Sequence, residues 1–222
     1  MFAIEIVSDI VCPWCFIGTR RLAAAIALIR QEQPDFQYRT LWRPFFLNPD
    51  TPPEGEPYLP FLVNKFGSRE KVEEIFGRVR AAGQAYGIDY AFEKIALRAN
   101  TLKAHRLLHR AQTLDPVPAQ INALVERLFQ AQFQRGEHVG DTQVLVSIAA
   151  ECGYDARQIT DYLASDLDAD NVRQQESEVR ALGINMVPTF ILPGNQIIVG
   201  AEDPTILAEG IRRVLQGDQQ DG

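Results

Sequence analysis

Hydrophobic and polar positions alternate from the first residues. Phe2, Ile4 and Ile6 are interleaved with Ala3, Glu5 and Val7, which predicts a mostly buried strand that gives way at Ser8-Asp9. The period then lengthens: Ile17, Ala24, Leu28 and their neighbours form an apolar stripe of helical spacing through about Ile29. This helix is expected to take Cys12 as its N-cap and Pro13 as its first residue, where a missing N–H costs nothing. Alternation returns over Phe36, Tyr38, Thr40 and Trp42 against Gln37, Arg39, Leu41 and Arg43, and Pro44 ends this second strand. The opening of the chain therefore reads as a βαβ unit.

From about residue 44 to 182 the pattern is helical, after a loop rich in proline (Pro49, Pro52, Pro53, Pro57, Pro60). Helices are expected near 69–86, 101–113, 119–134, 142–152, 156–164 and 167–182. Ser68, Asn100, Asp141 and Asp155 are the expected N-caps, and Gly87, Gly136, Gly153 and Gly183 the stops. Thr189 to Leu192, a Pro193-Gly194-Asn195 turn and Gln196 to Val199 predict a hairpin. Asp203-Pro204 opens a last helix with Ile206, Leu207, Ile211, Val214 and Leu215 on one face, and the tail from Gln216 is expected to fray. The order βαβ, helices, ββα is that of an α/β thioredoxin fold interrupted by a large all-helical insertion. On this reading residues 1–44 and 183–222 form the thioredoxin-like domain and 45–182 the helical insertion domain.

Composition narrows the function classes. With 222 residues, 46% of them hydrophobic, the chain can bury a substantial core. Its formal net charge of −7 argues against nucleic acid as a partner, which would call for a basic face. The longest helix-compatible apolar run, Leu22 to Ile29, is too short to span a bilayer, so no membrane partner is expected. Three cysteines cannot make a disulfide scaffold and would leave one unpaired in an oxidising compartment. With strand pattern starting at Met1 and no basic, apolar leader, a cytoplasmic protein is expected. A monomer and a homodimer are both compatible with the sequence.

The chemistry concentrates at Cys12-Pro13-Trp14-Cys15, between the first strand and the first helix. Two thiols three positions apart can close and reopen a disulfide across a very small loop. The same spacing also serves as half of a zinc site. At a helix N-terminus, free N–H groups and the dipole favour a thiolate, so Cys12 is the candidate nucleophile. Cys15, one turn further in, is the candidate resolving thiol, with Pro13 and Trp14 tuning the pair and meeting the substrate. Val187-Pro188-Thr189-Phe190 opens the third strand; a cis Val187–Pro188 bond there would expose Val187 backbone groups to an extended substrate, and a trans bond is the ordinary alternative.

Other candidates carry less. His105 and His109 have the spacing of a metal-chelating pair, but His105 falls between Leu102 and Leu108 on an apolar stripe, which favours a packed or cleft-lining histidine over a ligand. No metal site is expected. Cys152, beside the Gly153 stop, reads as a buried structural thiol, and Asp9 as a strand end.

The chain resembles the DsbA-like thioredoxin superfamily, and within it the FrnE-type branch related to 2-hydroxychromene-2-carboxylate isomerases and kappa-class glutathione transferases. The segments that carry the resemblance are Ser8 to Gly18, Trp42 to Pro49, Asn100 to Arg106, Gly183 to Phe190 and Val199 to Glu202, spread across most of the chain. The resemblance implies a cis Pro188, a dithiol/disulfide active site at Cys12 and Cys15, and a place for Asn100 or His105 in the substrate cleft. The glutathione-dependent branches typically put Ser in place of the first cysteine and lack the second. Both are present here, which favours redox exchange.

Three functions follow as expectations. The first is a thiol-disulfide oxidoreductase acting on protein or small-molecule thiols and disulfides, with no resident cofactor and with glutathione as the candidate cosubstrate. The second is a glutathione-dependent isomerase of small aromatic or polyketide-type compounds, its pocket lined by Trp14, Phe45, Phe46 and His105. The third is a zinc- or peptide-binding module that uses its thiols structurally.

Overall fold

The computed structural model describes residues 1–114 and 116–217. Its centre is a four-stranded sheet in which residues 2–8 lie between 38–44 and 189–192, with 196–199 at the edge beyond 189–192. β1 (Phe2–Ser8) runs parallel to β2 (Tyr38–Pro44) and antiparallel to β5 (Thr189–Leu192), and β6 (Gln196–Val199) closes the hairpin on β5. In this register Ile6 lies opposite both Trp42 and Phe190. A strand paired on both edges and covered on both faces must be apolar on both. Ile4 and Ile6 accordingly enter the main core, while Val7 joins a second cluster with Phe45, Val179 and Ile184 on the opposite face.

α1 (Pro13–Glu32) and α9 (Pro204–Gly217) pack together on the first face, and α8 (Ala169–Ala181) packs on β2 from the second. Between β2 and α8 the chain is helical: α2 (Tyr58–Phe66), α3 (Arg69–Gln84), α4 (Leu102–Thr113), α5 (Pro118–Gln130), α6 (Thr142–Glu151) and α7 (Ala156–Ala164). A short ribbon, β3 (Glu56–Pro57) with β4 (Leu97–Arg98), lies among them. The side chains of Phe16 on α1 and Phe129 on α5, both fully buried, stack at 5.2 Å and join the sheet layer to the helices. Ser68, Asp141 and Asp155 cap their helices by accepting from the N–H groups of Lys71, Val144 and Gln158.

Several expectations give way. The proline-rich loop contains α2, because Pro60 falls in the first turn, where its missing N–H has no helical partner to lose. Asn100 is not the N-cap of α4. Thr101 occupies that position, while Asn100 accepts from the Leu102 N–H at 3.1 Å and donates to the Thr51 carbonyl at 2.7 Å. α5 stops at Gln130 and continues as one π-helical turn, Ala131–Arg135. Gly136 ends that turn at φ 69°, where a Cβ would meet the Lys94 carbonyl oxygen at 2.4 Å. Gln216 and Gly217 remain helical in α9, and the rest of the tail, 218–222, lies outside the described residues.

Candidate active site

The end of β1 delivers Ser8 and Asp9 beneath the first turn of α1. The chain turns over at Asp9 to Cys12, whose N–H donates to the Asp9 carbonyl at 3.0 Å, and Cys12 is the N-cap with Pro13 first in the helix. No side chain caps the turn, so its free N–H groups point toward the Cys12 side. The Cys12 sulfur donates to the Val187 carbonyl at 3.7 Å, across a cis Val187–Pro188 bond. Gly18, one turn into α1, permits this approach, since a Cβ there would stand 2.8 Å from Pro188 Cγ.

Both thiols are free, and both are largely covered: Cys12 is 5% exposed and Cys15 1%. Burial holds the Cys15 thiol well above its usual range, and the neighbouring Cys12 side chain pushes the same way; the Ser8 hydroxyl and the Asp9 backbone oppose it. The Ser8 hydroxyl is itself buried and makes no regular hydrogen bond among the described residues, so its donor is free to meet negative charge on Cys15. Trp14 stands at the surface, 39% exposed.

Cys12, Pro13 and Trp14 form one wall of a cavity of about 350 Å³, and Val187 with Met186 and Asn185 borders it. The far wall comes from α2 and α3, chiefly Phe61, Leu62, Val72 and Phe76, with Arg98 of β4 and Gln132 of the π turn. Pro188 lies behind the opening, against Gly18. Asn100 and His105 are elsewhere. Asn100 lines a separate hollow with Phe46 and Asn48. His105 is buried behind the motif, its Nε2 3.3 Å from Asp9 Oδ1 and its ring edge-on to Phe46. Of the four aromatic and histidine residues expected to line a pocket together, Trp14 lines the cavity beside Cys12, Phe46 lines the separate hollow and Phe45 is buried in the second cluster. His109 faces Gln175 and Asp168, so the two histidines do not converge. Among the described residues no group of three or more His, Cys, Asp or Glu could hold a metal ion, and the thiols have no third and fourth ligand to complete a zinc site. Cys152 caps α6 half-buried against the core, and burial raises its thiol.

Tyr90 was not legible as a site residue. Its hydroxyl donates to the Pro13 carbonyl, between the two cysteines, at 2.6 Å. It sits in the irregular stretch after α3, where no periodicity marks it. Gln132, Lys65 and Arg98 are likewise brought to the cavity by tertiary packing alone.

Residues 3–212 match the DSBA-like thioredoxin domain family. The chain belongs to that family. A probable DsbA oxidoreductase of Streptomyces coelicolor is 28% identical and superposes with a TM-score of 0.86, covering 97% of this chain and 91% of that one. An uncharacterized Bacillus subtilis protein, YwbO, is 27% identical over 209 residues, 94% of each chain. The fold is shared more widely: a 2-hydroxychromene-2-carboxylate isomerase, 15% identical, has a TM-score of 0.66 over 99% of each chain. No described helix is long and apolar enough to cross a membrane.

Proposed function

We propose that the protein is a thiol-disulfide oxidoreductase that works through Cys12 and Cys15. One observation carries the reading: Cys12 caps α1 with its sulfur at the mouth of a cavity and beside the Val187 carbonyl, while Cys15 is sealed one turn behind it. The Cys12 thiolate attacks one sulfur of a disulfide RS–SR′, forming Cys12–S–S–R and expelling R′S⁻, which takes up a proton. Cys15 then gives up its proton and attacks the Cys12 sulfur. RS⁻ leaves, and the protein holds a Cys12–Cys15 disulfide after passing two electrons to the substrate. Two equivalents of a thiol such as glutathione restore the dithiol.

The segments 1–44 and 183–222 supply the thiols and the Val187 carbonyl, and the segment 45–182 supplies the opposing wall. The 28% identical Streptomyces protein supports the same chemistry. Cytoplasmic residence belongs to this reading, because there the third thiol, Cys152, needs no partner. The test is a pair of variants. Cys12→Ser should abolish disulfide reduction, and Cys15→Ser should accumulate mixed disulfides on Cys12; full activity of Cys12→Ser overturns the assignment.

The largely apolar cavity favours a second reading, glutathione-assisted isomerisation of a small aromatic compound. It predicts turnover that survives replacement of both Cys12 and Cys15 by serine.

A further inference from the structure

The cavity beside Cys12 is apolar nearly throughout, yet three of its features are not those of a packing defect. Gln132 is 2% exposed and lines the cavity, where its side-chain amide brings N–H donors and a carbonyl acceptor. A buried amide needs hydrogen-bond partners, and one that borders a cavity can offer its donors to a ligand there. Gln132 sits on a π-helical turn, a distortion that recurs at functional sites. Second, the lining carries two cations, Lys65 and Arg98, and no acidic side chain, in a chain whose net charge is −7.

Arg98 stacks on Phe61 at 3.7 Å and pairs with Glu56 through one Nη; its Nε is buried with no acceptor. Lys65 lies over the Phe61 and Phe66 rings and has no ion-pair partner among the described residues. Third, the mouth is an exposed apolar rim of Trp14, Leu47, Phe66 and Met186. A volume of about 350 Å³ is that of a small-molecule site.

We propose that this cavity is a specificity pocket for the organic half of a low-molecular-weight, apolar, anionic disulfide, with Gln132 and Lys65 as the residues that read its polar end. The inference deepens the proposed function and rests on it for the exchange step. The apolar body fills the space between Phe61, Leu62 and Phe76. Its anionic or acceptor group takes the Gln132 amide and the Lys65 charge, and Arg98 Nε is a further donor. The scissile sulfur is thereby left at Cys12, and the electrons follow the exchange already written, from the dithiol to the bound disulfide.

Binding and exchange are measured separately. Quenching of Trp14 fluorescence in Cys12→Ser reads binding without chemistry, with 2-naphthoate as the anionic probe and 2-naphthylmethanol as its neutral counterpart. The naphthoate is expected to bind about tenfold more tightly, the equivalent of one charge-assisted hydrogen bond, and Gln132→Leu or Lys65→Met should each remove most of that preference. Equal binding of the two probes, or none, overturns the pocket. Lys65 is exposed, so its variant keeps the test valid should Gln132→Leu fold poorly.

Exchange by the wild type is then compared for 5,5′-dithiobis(2-nitrobenzoate), cystamine and insulin, each rate divided by its rate with free dithiothreitol. A preference for the aromatic anion that falls in Gln132→Leu through KM supports the pocket, and faster insulin reduction overturns it in favour of a protein substrate. Probe binding that persists in a protein that reduces none of the three disulfides leaves the pocket standing and refutes the oxidoreductase reading instead.

Discussion

Tyr90→Phe is the most direct probe of how the helical region holds the thiol turn. The Tyr90 hydroxyl is buried and donates to the Pro13 carbonyl at 2.6 Å. Its ring is stacked on Phe92 at 5.0 Å and set edge-on to Phe133 at 5.5 Å and Phe16 at 6.2 Å. Burial, with the nearby Cys12 and Cys15 charges adding to it, holds the phenol far above its ordinary range, so the group remains a donor at every pH of interest. Phenylalanine keeps the ring and all three aromatic contacts and deletes one oxygen. What is lost is a net hydrogen bond, about 0.5–1.5 kcal/mol, plus part of the cost of leaving the Pro13 carbonyl without its donor; together these give about 1–2 kcal/mol.

For a chain of this size each kcal/mol moves Tm by about 2–4 °C, so the reduced variant should melt about 2–8 °C below the wild type. Urea unfolding of the reduced proteins, with unchanged m-values, gives the free energy directly. Tyr86→Phe is the control: Tyr86 meets Arg21 through its ring at 5.2 Å, and its loss of a hydroxyl should fall within about 0.5 kcal/mol. If Tyr90→Phe is as stable as Tyr86→Phe, the hydroxyl contributes nothing and the tether is refuted. A loss above about 3 kcal/mol would mean that the ring itself had moved, and would refute the reasoning from the other side.

Gly18→Ala tests the closeness of α1 to the Val187–Pro188 loop. Alanine ordinarily gains about 1 kcal/mol over glycine inside a helix, but here its Cβ meets Pro188 Cγ at 2.8 Å and Phe190 Cζ at 3.4 Å, an overpacking worth about 1–3 kcal/mol. A net loss of about 1 kcal/mol in urea is expected, and a gain refutes the contact. Cys15 makes stability depend on pH. Its folded pKa lies above the ordinary 9.0, so its contribution is complete below about pH 9 and is lost as pH rises toward the folded value, by up to about 1.4 kcal/mol per pH unit. Reduced wild type should therefore lose stability between pH 8.5 and 10.5 faster than Cys15→Ser, and parallel curves refute the burial argument. Phe129→Ala removes the stack between α1 and α5 at a fully buried position and should cost about 3–5 kcal/mol by urea unfolding, where a loss below 1 kcal/mol would deny the two layers a common core.

What the sequence makes legible is what local physics determines. The alternation of Phe2, Ile4 and Ile6 marks β1, and Ser68, Asp141 and Asp155 are caps because a short acceptor before a helical run meets that helix's own free N–H groups. The thiol pair is visible for the same reason, being one turn of one helix. α2 is hidden because Pro60 reads as a breaker unless its place in the first turn is already known. Asn100 looks like a cap and is one position off, its side chain divided between the Leu102 N–H and the Thr51 carbonyl. Tyr90 and Gln132 join the site from 77 positions beyond Pro13 and from the π turn, and no local pattern encodes contacts at such separations.

Asp9 shows how a residue of modest local meaning acquires a larger one through packing. As a strand end it needs no partner, but at 1% exposure a carboxylate must be paired and hydrogen-bonded to be tolerated. Its Oδ1 meets His105 of α4 at 3.3 Å, its Oδ2 accepts from the Leu47 N–H at 2.9 Å, and its own carbonyl accepts from the Cys12 N–H. Those three bonds join β1, the start of α1, the 45–47 loop and α4. Leu47 in turn lines the cavity. The Cys12 turn and the cavity wall are thus tied to one residue, the turn through the Asp9 backbone carbonyl and the wall through its buried carboxylate. His105 contributes to the site by holding that carboxylate, from the side of the motif away from the cavity.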